Sequence, residues 1–184
     1  TSLNSRSDIR ARGLIGFIGE ASFTAPGYIE LDAAQIYPAT ATDFTVTASG
    51  PDSRIEVHNS QDATSQVPMS AVGSMTLNAD TILQAGTLRA PLGQITLNAA
   101  KELVLAANSL TSVSAEGSLI PYAVTVLGGT QLADSVGATQ DFLTKIDNKK
   151  VTLNADDVNL QAGARVDISG GGDTFAYEWI QGIG

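Results

Sequence analysis

The chain has 184 residues, 43% of them hydrophobic and 18 of them glycine, with 10 Lys and Arg against 19 Asp and Glu for a formal charge of -9. That apolar content excludes a disordered chain, and the acidic balance argues against a nucleic-acid partner, because phosphate binding needs clustered positive charge. The absence of cysteine removes disulfides, thiolate nucleophiles and Cys-based zinc sites; no apolar run is long enough to span a membrane, and Thr1 to Arg12 does not have the pattern of a signal peptide.

Short strands are predicted wherever apolar and polar residues alternate. In chain order these are Ile29/Leu31, Phe44/Val46, Ile55/Val57, Met75/Leu77, Ile95/Leu97 and Leu103/Leu105, then Val151/Leu153, Val158/Leu160 and Val166/Ile168. A period of two puts one face inside and leaves the other outside, so these are half-buried strands and not helices. Gly27, Asn78-Ala79-Asp80, Gly86, Pro91-Leu92-Gly93 and Asn154-Ala155-Asp156 punctuate the joins.

The strands belong to a repeat. MTLNA at Met75 to Ala79 recurs as ITLNA at Ile95 to Ala99 and as VTLNA at Val151 to Ala155, and Met75 to Gly86 matches Val151 to Gly163 with one inserted residue. Starts at Ile29, Ile55, Met75 and Ile95 predict a period of 20 to 26 residues. A unit this short cannot bury its own hydrophobic face and must stack on its neighbours. The predicted fold class is therefore all-β, a parallel β-solenoid forming one domain over residues 1–184, in which each turn rises about 4.8 Å. Leucine-rich repeats share the length but need a consensus that is missing here. Asn78, Asn98 and Asn154 hold one place in the repeat; they form either a ladder of side-chain amides or simply tolerate a turn.

From Glu116 to Lys150 the repeat lapses. Leu132, Val136, Phe142, Leu143 and Ile146 fall roughly at helical spacing, with Lys145, Lys149 and Lys150 at the end where cations suit a helix dipole. An insertion with a short helix is predicted there, either a partner-binding excursion or a cover for exposed core. The chain begins without Met and stops at Gly182-Ile183-Gly184, which predicts a piece of something longer.

The phrases IYPATATDFTV (Ile36 to Val46), MTLNADTILQAGTLRAPLGQITLNAAKELVLAANSLTSVSAEGSLIPY (Met75 to Tyr122) and VTLNADDVNLQAGARVDISGGGDTFAYEWIQGIG (Val151 to Gly184) carry a resemblance. They resemble the filamentous haemagglutinin-like exoproteins, the very large secreted partners of bacterial two-partner secretion. The resemblance implies a right-handed parallel β-helix, export through a partner transporter in the Gram-negative outer membrane, and a secreted or cell-surface role in attachment to a receptor or glycan on a host or neighbouring cell. The chain does not look like the secretion domain that the transporter recognises, so it is expected to be a downstream, shaft-like segment. No catalytic residue comes with the resemblance.

The residues themselves offer little chemistry. His58, the one histidine, follows Ile55-Glu56-Val57 and is expected on the outer face beside Glu56; alone it makes neither a two-histidine metal site nor an oriented triad. Gly170-Gly171-Gly172-Asp173 is similar to calcium-binding repeats but occurs once, so a tight turn is expected instead. Asp156-Asp157 with Asp167 reads as turn chemistry. Arg89, Lys101, Arg165 and Asp167 are the raw material for a lyase or hydrolase of acidic polysaccharide, which would need acids and a base converging in one cleft. The expected protein is not an enzyme and needs no metal or cofactor. A ligand-binding module is the alternative, drawing on exposed aromatics. Phe175, Tyr177 and Trp179 alternate with Thr174, Ala176 and Glu178, so they are expected on one face of a final strand, as a ligand contact or as an edge that supports weak end-to-end self-association.

Overall fold

Thr, Val, Ile and Leu favour the pleated conformation, and the predicted alternations from Ile29/Leu31 to Val158/Leu160 lie in strands. In the computed structural model residues 1–13, 19–60, 66–126, 129–133, 139–142 and 148–177 are described; the chain is all-β, with no helix among them. It opens with β1 (Ser2–Asn4) and β2 (Ile9–Ala11), then runs through β3 (Gly19–Ala33), β4 (Ile36–Pro38) and β5 (Thr42–Asn59). The middle holds β6 (Ser74–Gln84), β7 (Thr87–Arg89), β8 (Gln94–Leu105) and β9 (Leu110–Ser112). Then come β10 (Leu119–Val126), β11 (Gly129–Ala133), β12 (Thr139–Phe142), β13 (Lys150–Asn154), β14 (Asp157–Leu160), β15 (Arg165–Asp167) and β16 (Asp173–Tyr177).

Two parallel sheets carry the repeat. The first has the order β1-β3-β5-β6-β8-β13, with β14 also paired to β8, and the second has the order β15-β9-β7-β4-β2. The chain alternates between them at β3/β4, β6/β7 and β8/β9, a long strand in the first sheet followed by a short one in the second, whereas β5 is followed by β6 of the same sheet. Each long strand breaks register part-way, β3 between Pro26 and Tyr28 and β5 between Thr47 and Arg54. Gly27 at φ 71°, Gly50 at φ 93° and Asp52 at φ 55° make those corners, where the left-handed backbone suits glycine and, next best, Asx residues.

The sheets bury their facing side chains completely. Ile29, Ile55, Ile82 and Leu103 form one column, and Val46, Leu77 and Leu97 form another, all without solvent exposure. Each such Leu or Ile contributes roughly 1.5–3 kcal/mol by leaving water. A polar side chain enters this core at Gln84, which lies inward between Val57 and Leu105. Its Nε2 donates to the Gly86 and Leu110 carbonyls at 3.1 and 3.0 Å and to Thr111 Oγ1 at 3.3 Å, while its Oε1 accepts from Gly86 N at 3.2 Å. A buried amide satisfied on both ends costs little.

The amide ladder is present. Asn78 Nδ2 donates to Thr47 Oγ1 at 3.3 Å, Asn98 Nδ2 to Asn78 Oδ1 at 3.0 Å, and Asn154 Nδ2 to Asn98 Oδ1 at 2.8 Å. Turns stack as well. Thr42, Gly93 and Ser118 donate backbone N–H bonds to Ala39, Ala90 and Ala115, and the turns place Ala41, Leu92 and Gly117 at positive φ. Leucine accepts φ 56° at position 92 because the glycine is needed next door: a Cβ on Gly93 would lie 1.9 Å from the Gly73 carbonyl oxygen of the turn beneath it.

Three expectations are corrected. First, Ile55 and Met75 do not mark the same place in successive units: Ile55 pairs with Ile29 and Ile82, whereas Met75 pairs with Phe44 and Ile95. The 20-residue step between them is a coincidence of loop lengths, because the long corner near Asp52 and the connection from Ser60 to Gly73 enlarge that round. Second, the insertion is not helical where it is described. β10, β11 and β12 form an antiparallel meander, and β16 joins β10 in parallel; the antiparallel pairing of β11 with β10 and β12 overrides the helical spacing at Leu132 and Phe142, and Val136, Leu143 and Ile146 lie outside the described residues. Third, the last round is not half-buried like the others: Val158 and Leu160 are 38% and 53% exposed, and Ile168, past the end of β15, is 65% exposed. Among the described residues β14 pairs only with β8, so a single strand neighbours it there.

Candidate functional site

Alternation in the second sheet sends Leu88, Thr111 and Val166 inward and leaves Arg89, Ser112 and Asp167 as one outward column, in register from β7 through β9 to β15. Leu110 and Arg165 form the adjoining column. Beside these columns lies a cleft of about 220 Å³ lined by Val67, Arg89, Leu110, Ser114, Glu116, Arg165 and Asp167. Arg89 and Asp167 stand two strand spacings apart, about 9–10 Å along the sheet.

The carboxylate in this cleft is already occupied. Asp167 Oδ1 accepts from Ser169 N at 3.0 Å and from Ser169 Oγ at 2.7 Å, and Oδ2 accepts from Arg165 at 3.1 Å. Ser169 and Arg165 together hold the acid below its ordinary value against the opposing effect of burial. Arg89 is not so provided: its Nε is shielded from solvent and has no hydrogen-bond partner among the described residues. Burial pulls this guanidinium below its usual value; Asp167 opposes that shift and the neighbouring Arg165 adds to it. The wall opposite is tied down, since Ser114 Oγ donates to the Gly170 carbonyl at 3.3 Å, accepts from Glu116 N at 3.1 Å and lies 3.0 Å from Ser169 Oγ.

Of the four residues singled out for acidic-polysaccharide chemistry, the structure thus brings Arg89, Arg165 and Asp167 together. Lys101 lies elsewhere, bound to Asp52 at 2.7 Å and Asp80 at 3.1 Å at the corners of the first sheet. Ser112, Ser114, Glu116 and Val67 were not foreseen. A signal for the cleft did exist, because LQAG precedes both TLRA and ARVD, so the segments after the two copies belong on one sheet.

His58 lies beside Glu56 as expected, with its Nε2 3.0 Å from Glu56 Oε2. Tyr28 donates to the same oxygen at 2.9 Å, and Arg54 Nε donates to Oε1. Burial and that bond to Glu56 raise the Tyr28 phenol to about 12. Burial alone would raise Glu56, yet its bonds from His58, Tyr28 and Arg54 win and hold it below the ordinary 4.5. The Gly170-Gly171-Gly172 run is a turn, with Gly171 at φ 110° and Gly172 at φ 77°. A Cβ on Gly172 would lie 2.2 Å from the Ala115 carbonyl oxygen. No cluster of three or more His, Asp or Glu arranged to hold a metal occurs among the described residues.

Phe175 is 39% exposed on β16, and Tyr177 pairs through its backbone with Val124. Trp179 lies outside the described residues, so the three are not shown as one patch. No protein-family model, no curated protein and no solved structure matches the chain.

Proposed function

We propose that the two parallel sheets are faces of a right-handed parallel β-helix, and that this chain is a non-catalytic, shaft-like segment of a secreted or surface-displayed bacterial adhesin of the filamentous haemagglutinin-like kind. The observation that carries the reading is the in-register stacking of like on like. Thr76 pairs with Thr96, and Thr96 with Thr152; Leu77, Leu97 and Leu153 follow suit, and the asparagines beside them bond in sequence. Each such round adds length, about 4.8 Å, and repeats the same surface.

The acids support the non-catalytic side of the reading, since Asp167, Glu56, Asp52 and Asp80 are each engaged by neighbouring side chains. A chain without cysteine also suits passage through a partner transporter before folding. The experiment is to fuse the chain behind a two-partner secretion domain and express it with its transporter in a Gram-negative host. Surface protease should then reach the chain on intact cells, and the purified protein should release no unsaturated sugar from a polyuronate. Retention inside the cell, or release of such sugars, overturns the reading. The cleft beside Arg89 favours a second reading, a ligand-binding module within such an exoprotein.

A further inference from the structure

The cleft on the second sheet holds a shielded, unpartnered cationic nitrogen. Arg89 is half-buried, and its Nε is shielded from solvent with no described residue accepting from it. The nearest acid in the column, Asp167, has its oxygens taken by Ser169 and Arg165. A shielded guanidinium nitrogen without a hydrogen-bonded partner lowers stability, and a local cost of that kind beside a cleft goes with a binding role.

The surroundings narrow the ligand. A guanidinium calls for a planar oxyanion, which it grips with two parallel bonds. The rim, however, carries Glu116 and Asp167, which would repel a compact divalent anion and which accept bonds from hydroxyl groups. A neutral sugar would satisfy the rim and leave Arg89 alone; a bare carboxylate would do the reverse. A volume of about 220 Å³ is below the roughly 300–1,000 Å³ of pockets for drug-sized ligands, and suits one monosaccharide unit.

We propose that the cleft between β7 and β15 binds a single sugar acid, with its carboxylate on Arg89 and with its hydroxyls on Glu116. Arg165 stands at the mouth as a second cation, already turned toward Asp167. This gives the ligand-binding reading its site and does not depend on the shaft reading; a chain that is displayed on cells and ignores sugar acids would retain the second and lose the first.

The test uses the whole chain labelled with ¹⁵N. The Nε–H resonance of Arg89 is followed while D-glucuronate, D-glucose, sodium acetate and sodium sulfate are added in separate titrations. Glucuronate should give a saturable shift, glucose none, and acetate and sulfate only weak, unsaturated changes. Arg89→Gln should weaken glucuronate binding by about tenfold or more, the scale of a charge-assisted bidentate contact, read then from backbone amides of β9 and β15. Arg89→Lys, which keeps the charge but not the fork, should fall in between and serves if the glutamine variant does not fold. Arg89→Met should melt no lower than the parent, because it removes an unpartnered cation. The proposal is overturned by acetate or sulfate binding as tightly as glucuronate, by no saturable response to glucuronate, or by an Arg89→Met variant that melts several degrees lower, which would make Arg89 a structural residue.

Discussion

Glu56 gathers Tyr28, Arg54 and His58 around one carboxylate on the outside of the first sheet, and its acidity sets the sign of a pH effect. Its folded pKa is depressed below 4.5, so the stabilisation is present above the ordinary glutamate range and is lost as pH falls through the folded value. Glu56→Gln should therefore lower the urea midpoint at pH 7 and converge on the parent as the pH falls through the folded value of Glu56. Tyr28 has the opposite sense: raised from 10.0 to about 12, it contributes below pH 10 and its contribution disappears as pH climbs towards 12. Absorbance titration should show Tyr28 and Tyr37 both ionising late, since burial raises Tyr37 as well, and Tyr28→Phe should remove one of the two late steps. In the core the contrast is between neighbours. Leu97→Ala, at a fully buried site, should cost about 2–5 kcal/mol, whereas Thr96→Ala on the outer face should stay near 0.5 kcal/mol, both read from chemical denaturation.

Between strands, the asparagine ladder has a direction and hence unequal rungs. Asn98 both donates to Asn78 and accepts from Asn154, while Asn154 only donates. With each bond worth about 0.5–1.5 kcal/mol, Asn98→Ala should cost about twice what Asn154→Ala costs, and the double variant should cost less than their sum because one bond is shared. The excursion from Glu116 to Lys150 is more deeply tied in than its irregular composition implies. Ile120 is buried with Ala71 and Ala115, and β10 is the parallel partner of β16. Joining Ser114 to Val151 should preserve a cooperative transition for the two parallel sheets, whose pairing lies elsewhere, yet abolish amide-exchange protection from Asp173 to Tyr177. Retained protection there would show that β16 does not need β10.

For the molecule as a whole, β13 and β14 form the margin of the first sheet that lies beyond β8, where Leu160 is 53% exposed. Its counterpart Leu105 is fully buried one strand earlier. Such an edge recruits another chain, while a formal charge of -9 opposes association until salt screens it. Sedimentation should find weak self-association that strengthens with salt and is reduced by Leu160→Ser with little loss of stability. Leu105→Ser, in contrast, should destabilise by about 2–5 kcal/mol. A parent chain that stays monomeric at high salt and high concentration would show that this edge does not pair.

Strand identity, the inward and outward alternation, and the equivalence of Asn78, Asn98 and Asn154 follow from the sequence alone, because a period of two and a repeated pentamer are local properties of the chain. His58 beside Glu56 is legible for the same reason, two residues apart on one strand. The phase between rounds is not local. It depends on which strand lies underneath, and the corner near Asp52 and the connection from Ser60 to Gly73 lengthen one round without altering any strand, so Ile55 pairs with Ile82 and not with Met75. The strands of the meander were hidden likewise, since β10 gains its parallel partner from a segment about fifty residues further along, as the Leu119 to Asp173 pairing shows, and such contacts outweigh local propensity. The cleft belongs wholly to the tertiary structure. Arg89 and Asp167 are far apart in the chain and share one cleft only because β7, β9 and β15 stack in register.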